Sequence, residues 1–349
     1  LRRLSRAALV LSHPLLRRLS QAVQALSRPR LRPLSQVAPA LSRHRLLPLN
    51  QAANEGISFV VDTPFFQQNN VSIPSNSRLQ NAPFSISQPI PFTKYQQAFA
   101  LVHHHLSKGD SFLLNLTAST PIVLSMTLQE IFFAAKAKCK VLFKDEFTCF
   151  SPEPFVLINK KGIISSYPMK GTAIQHSAED KERLLSNQKE LFEHTTIVDL
   201  IRNDISQVAE KIWVEKFRFM EEIQTAAGQT LLQISSQICG QLPTDWASRI
   251  GTILTKLLPA GSISGAPKPK TVKVIQEAER YLHPAGERGY YTGIFGIFDG
   301  EQLYSSVMIR FIEKTQTGTF FKSGGGITFR SQVEMEYQEL NDKIYVPLL

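Results

Sequence analysis

The chain has 349 residues, with 39 Lys and Arg against 29 Asp and Glu and a net charge of +10. Ten of the basic residues, all Arg, lie in residues 1–54, which hold no acidic residue, so the remainder balances at 29 against 29. A neutral body gives a nucleic-acid surface no support outside the tail. Three cysteines exclude a disulfide scaffold and suit a reducing cytoplasm, and no apolar run near 18 residues in the body predicts a membrane span.

Residues 1–54 form a basic Leu/Arg/Ser/Pro repeat tail. Leu1, Leu16, Leu31 and Leu46 share one phase of a 15-residue period; Leu4, Leu19, Leu34 and Leu49 share another. Pro14, Pro29, Pro33, Pro39 and Pro48 would interrupt a long helix. Three readings stay open: a disordered basic extension, translated repeat DNA ahead of a misplaced start, or a targeting segment. The expected folded body is 55–349.

In the body, Ile57–Val61 is expected as a strand, followed by a polar stretch to residue 90. Residues 92–107 are predicted helical. His103, His104 and His105 are consecutive, so a helix cannot turn all three to one metal. Ser111–Thr117 reads as a strand and Thr127–Ala137 as a helix. Val141–Phe150 and Val156–Ile164 read as strands around the turn 151–154. Pro168-Met169-Lys170-Gly171-Thr172 would hold a lysine on a stiff turn, where a lowered pKa would make it a nucleophile.

A long helix is expected from Glu179 to Ile201, with Glu190 and Glu193 on one face. Ser331 to Glu334 has capping-box spacing for a last helix, in which Glu336, Glu339 and Lys343 fall at i, i+3 and i+7. Two carboxylate pairs brought together would make a hard oxygen site suited to Mg²⁺. Gly261 to Lys268 and Lys322 to Ile327 read as glycine-rich loops; the run Gly324, Gly325 and Gly326 would let N–H groups converge on an anion.

Taken in order, GDSFLLNLT (109–117), SPEPF (151–155), PMKGT (168–172), ELFEHTTIVDLIRND (190–204), GSISGAPK (261–268), RGYYTGIFG (288–296), VMIR (307–310), GGGIT (324–328) and EYQEL (336–340) resemble the chorismate-binding enzymes. That family contains anthranilate synthase component I, aminodeoxychorismate synthase component I and the isochorismate and salicylate synthases. The resemblance implies an α/β fold of the α+β type, with two mainly antiparallel sheets packed as a sandwich and outer helices, making 55–349 a chorismate-binding catalytic domain. It implies Glu190, Glu193, Glu336 and Glu339 as the Mg²⁺ shell. Arg310 and Tyr291 would contact the enolpyruvyl carboxylate, with the backbone of Gly324, Gly325 and Gly326, Ser264 and Lys343 also at the substrate. Glu153 would be an acid.

Within the family, Leu113 stands where the isochorismate branch has a lysine base, and Lys170 stands where anthranilate synthases typically carry alanine. The closest resemblance is therefore to aminodeoxychorismate synthase component I. That implies conversion of chorismate and ammonia to 4-amino-4-deoxychorismate through a covalent Lys170 adduct, for p-aminobenzoate and folate synthesis in the cytoplasm. Gln233 occupies the position of a family histidine and cannot shuttle a proton. No glutaminase motif is present, so a separate glutamine amidotransferase subunit is the expected ammonia source. The alternatives are anthranilate synthase component I and a catalytically silent chorismate-binding subunit.

Overall fold

The structure, a computed structural model, describes residues 7–11, 45–48, 57–63, 66–69, 82–137, 139–177, 179–224 and 230–348. Most of the N-terminal repeat lies outside them. In chain order the strands are β1 (Ala7–Leu11), β2 (Arg45–Pro48), β3 (Ile57–Thr63), β4 (Phe66–Asn69) and β5 (Phe84–Ile86), followed by helix α1 (Phe92–Ser107). Next come β6 (Leu113–Leu124), α2 (Leu128–Ala134), β7 (Cys139–Phe143), β8 (Phe147–Ser151), β9 (Pro154–Ile158), β10 (Ile163–Ser166) and β11 (Met169–Ile174). The middle holds α3 (Glu179–Ser186), α4 (Gln188–Ser206), β12 (Lys211–Gln224), β13 (Thr230–Gln241) and α5 (Ile250–Leu257). Last are β14 (Gly265–Ala266), α6 (Lys268–Ala278), β15 (Ile294–Phe298), β16 (Leu303–Val307), β17 (Phe311–Thr315), β18 (Gly318–Ile327) and α7 (Val333–Asp342). The strands lie in two mainly antiparallel sheets, which with the helices make an α+β fold.

The chain divides into two compact units. The first comprises residues 1–153, 263–300 and 304–348. Its sheet runs β14-β6-β18-β17-β8-β7-β3-β4, with β5 also on β6. Alternation along β6 sends Leu114, Leu116 and Ala118 into a core shared with Tyr95 and Val102 of α1, Val274 and Ile275 of α6 and Leu340 of α7. A second core on Ile122, Phe321 and Ile312 is covered by Leu128, Ile131 and Phe132 of α2. Thr127 caps α2 through a reciprocal capping box with Glu130. At the C-terminal end of α2, buried Lys140 donates to the carbonyls of Phe132 and Ala135, each at 2.7 Å. In the same unit β15 pairs with β1, which pairs with β2, so two short strands occur inside the N-terminal repeat.

The second unit comprises residues 154–262 with 301–303 and 349. Here β13 pairs with β10 and β11, β12 also pairs with β13, and β9 pairs with β10, all antiparallel. Leu184 of α3 packs on Leu232 and Ile234 of β13, and Ile197, Val198, Ile201 and Ile205 of α4 are buried. Among the described residues no helix is long and apolar enough to cross a membrane, and the three cysteines are buried, none of them in a disulfide.

Several elements differ from expectation. The single strand expected over 141–150 is a hairpin, β7 and β8, turned through Lys144 at φ 50°. The long helix is two helices broken at Asn187, whose Oδ1 accepts the Glu190 N–H at 3.2 Å. The capping box at Ser331 does not form: Gln332 is the N-cap and makes no side-chain cap, while Ser331 Oγ accepts the Thr328 N–H. The glycine run 324–326 is no loop but the end of β18, in register with Thr117, Leu116 and Asn115 of β6. A Cβ on Gly324 would sit 2.5 Å from Thr117 Cγ2 and 2.7 Å from the Leu116 carbonyl oxygen. Glycine there serves close strand approach on the β6 side.

Candidate active site

In the first unit the glycine run of β18 lies beneath α7. The β17 ladder ends at Lys322, so β17 leaves one edge of Gly324 to Gly326 uncovered. There Lys343 Nζ donates to the Gly324 carbonyl at 3.0 Å and to Glu339 Oε1 at 2.5 Å. A Cβ built on Gly325 would lie 3.2 Å from Glu339 Oε1 and 3.6 Å from Glu336 Oε2. Two turns of α7, ending at its C-cap Lys343, therefore lay two carboxylates and a lysine along the glycine strand. Burial, added to by the charges of Glu336 and Glu339, pushes the Tyr95 hydroxyl up, so it stays protonated.

Tyr291, Arg310 and Glu153 also gather in this unit. Tyr291 is buried, with its ring centroid 5.9 Å from that of Phe311. Burial pushes its hydroxyl up, opposed by the charges of Arg288 and Arg310 and reinforced by those of Glu279 and Glu153. Arg310 has φ 55°, a left-handed backbone that a non-glycine residue adopts only when its surroundings impose it. Its guanidinium lies 4.8 Å from the Tyr345 ring centroid, and its buried Nε has no partner among the described residues. Glu153 is half-buried; its N–H donates to Ser151 Oγ, and its carbonyl accepts the Val307 N–H. Ser264 is buried beside Gly265, whose φ of 127° and 1.9 Å Cβ approach to the Leu113 carbonyl admit only glycine.

A buried charge network, absent from the sequence reading, runs behind these segments. Arg288 Nε and Nη2 donate to Glu279 Oε2 and Oε1 at 2.8 and 2.7 Å. The Thr117 N–H and hydroxyl also donate to Glu279 Oε1. Because that hydroxyl is spent on Glu279, it accepts from His283 Nε2 at 2.9 Å, and His283 Nδ1 accepts from Ser119 Oγ at 2.7 Å. Burial alone would raise the Glu279 carboxyl, but the charge and hydrogen bonds of Arg288, with His283, hold it at about 2. Burial pushes His283 down, so it is neutral. Nothing local in the sequence marks residues 279, 283 and 288 as buried.

In the second unit the lysine turn is part of β11. Its register on β13 shifts between Met169 and Thr172, placing the Lys170 backbone on a bulge. The Lys170 side chain lies outside what the structure describes. Gly171 has φ 88°, and a Cβ there would be 3.2 Å from Glu190 Oε2. Glu190 and Glu193 are half-buried on one face of α4. Gln233, opposite Thr172 in register, points its amide at Met169 Sδ and, at 3.5 Å, Ser235 Oγ. His194 of α4 is buried and bonded to Ser236 Oγ at 2.6 Å, which also accepts the Arg218 N–H. The predicted metal residues thus come as two carboxylate pairs, one in each unit. Among the described residues no three His, Cys, Asp or Glu side chains are grouped to hold a metal ion.

Comparison with known proteins bears on this arrangement. A family model described as chorismate binding enzyme matches residues 47–348. A PabA-like protein of Haemophilus influenzae is 52% identical over 260 residues, covering 74% of this chain and 77% of that protein. Aminodeoxychorismate synthase component 1 of Escherichia coli is 30% identical over 267 residues, 72% of this chain and 56% of that protein. The structure of anthranilate synthase component I from Streptococcus pneumoniae superposes with a TM-score of 0.62 at 22% identity, covering 90% of this chain and 66% of that one. The family match over most of its length establishes that this chain belongs to the chorismate-binding enzymes.

Proposed function

We propose that the chain is an aminodeoxychorismate synthase component I acting in p-aminobenzoate and folate synthesis in the cytoplasm. The observation that carries the reading is Lys170 on the β11 bulge, followed by Gly171 in a conformation that only glycine adopts freely. A relative named for this activity supports it. The neutral Lys170 amine attacks C2 of chorismate as the C4 hydroxyl leaves; ammonia then adds at C4 and expels the lysine. Two easier displacements replace one hard one. Arg310, Tyr291, Ser264 and Lys343 bind and orient the substrate carboxylates, and Glu153 donates a proton to a leaving group.

Each carboxylate pair, Glu190 with Glu193 and Glu336 with Glu339, offers only hard oxygens, the donor type that suits Mg²⁺. When bound, the ion supplies charge neutralisation for the ring carboxylate and withdraws electron density from the diene. Gln233 orients by hydrogen bonding and shuttles no proton. Ammonia comes from a separate glutamine amidotransferase subunit.

The test incubates the purified protein with chorismate, Mg²⁺ and excess ammonium and separates the products by mass. Aminodeoxychorismate without pyruvate is expected, and Lys170→Ala should reduce turnover by about 10³-fold or more while still binding chorismate. Anthranilate with pyruvate would replace this reading with the anthranilate branch. Full activity in Lys170→Ala would refute the covalent route, and binding without turnover would indicate a silent subunit.

A further inference from the structure

Arg288 uses all of its N–H donors. Nε and one Nη2 hydrogen go to Glu279; the other Nη2 hydrogen goes to the Asn115 carbonyl at 2.6 Å. Nη1 donates to the Ile263 carbonyl at 2.8 Å and to Thr292 Oγ1 at 3.3 Å. Its own carbonyl accepts from buried Lys322 Nζ at 2.9 Å, and Lys322 pairs with Glu313. Each acceptor other than Glu279 adjoins a segment of the proposed substrate site. Ile263 precedes Ser264, Thr292 follows Tyr291 and is itself held at φ 62°, and Asn115 is the register partner of Gly326. Three segments distant in sequence thus converge on one planar group.

We infer that Arg288 is a positioning residue for the substrate: its guanidinium, oriented by Glu279, sets the Ser264 and Tyr291 segments against the glycine strand. The inference rests on the proposed chorismate site. Lysine at 288 would keep the positive charge beside Glu279 but, with fewer donors and no planar fork, could not hold all three segments at once. Binding should therefore suffer more than folding.

The experiment measures chorismate binding to the wild-type full chain by calorimetry, then KM, kcat and melting temperature for Arg288→Lys. The expected result is a KM at least tenfold higher, with kcat within threefold and a cooperative melt retained. A purely structural Arg288 would lower the melting temperature and leave the KM of the folded fraction unchanged, and that result overturns the inference. If Arg288→Lys does not fold, Thr292→Val removes one acceptor without changing shape. It should raise KM about threefold, and an unchanged KM would again overturn the positioning role. Failure of the wild-type chain to bind chorismate would instead refute the proposed function, and this inference with it.

Discussion

Replacing Glu279 by glutamine removes one charge from a buried ion pair of the first unit. Glutamine preserves the volume and one acceptor oxygen, but its amide would face the Arg288 Nε–H, donor against donor, and the guanidinium would stay buried without its counter-charge. Breaking a buried pair by removing one partner costs about 3–5 kcal/mol. The pH linkage of the same pair points in the same direction. Glu279 is held from 4.5 down to about 2, which corresponds to roughly 3 kcal/mol at neutral pH. A cost of about 3 kcal/mol predicts a melting temperature lower by about 6–12 °C at pH 7. The folded-state pKa is depressed, so this stabilisation is complete above pH 4.5 and is lost as pH falls toward 2. Thermal melts of wild type and Glu279→Gln at pH 7, 5, 4 and 3 should therefore show a gap that narrows through the acid range. A variant melting within 2 °C of wild type at pH 7, or a gap unchanged down to pH 3, would refute the reasoning.

Two further substitutions separate fold from site. Gly265→Ala would drive a methyl to 1.9 Å from the Leu113 carbonyl at φ 127°; a loss of more than about 4 kcal/mol is expected, seen as failure to recover folded protein. Gly325→Ala asks Glu339 Oε1 to retreat by a few tenths of an ångström from a 3.2 Å approach. The melting temperature should move by less than about 2 °C, while Mg²⁺ titrated against chorismate binding should show affinity about tenfold weaker. Unchanged Mg²⁺ dependence would remove Glu339 from the proposed metal shell.

The helix at 92–107 was legible because Tyr95, Ala98, Phe99, Val102 and Leu106 repeat at helical spacing, and each is buried. The family landmarks were legible because glycine, proline and charge stand in a fixed order. The glycine run was read as a loop because composition reports permissiveness and not its use: three glycines suit a loop and a close-packed strand equally, and the approach of Thr117 and Leu116 to Gly324 decided for the strand. The break at Asn187 was hidden because the helical pattern continues across it, while the Asn187 side chain starts α4 by accepting the Glu190 N–H.

The sequence by itself determined the family, the residue types of the candidate site and the lysine on which the proposed branch rests, since these are chemical identities at matched positions. Only the tertiary structure decided that Glu336, Glu339 and Lys343 lie along the glycine strand, that Glu190 meets Gly171, and that Arg288 joins segments near residues 115, 263 and 292. The physical reason is that burial and pairing of charge depend on which distant segments the strand registers bring together. A glutamate on a solvated face and one at the centre of a buried network are written with the same letter.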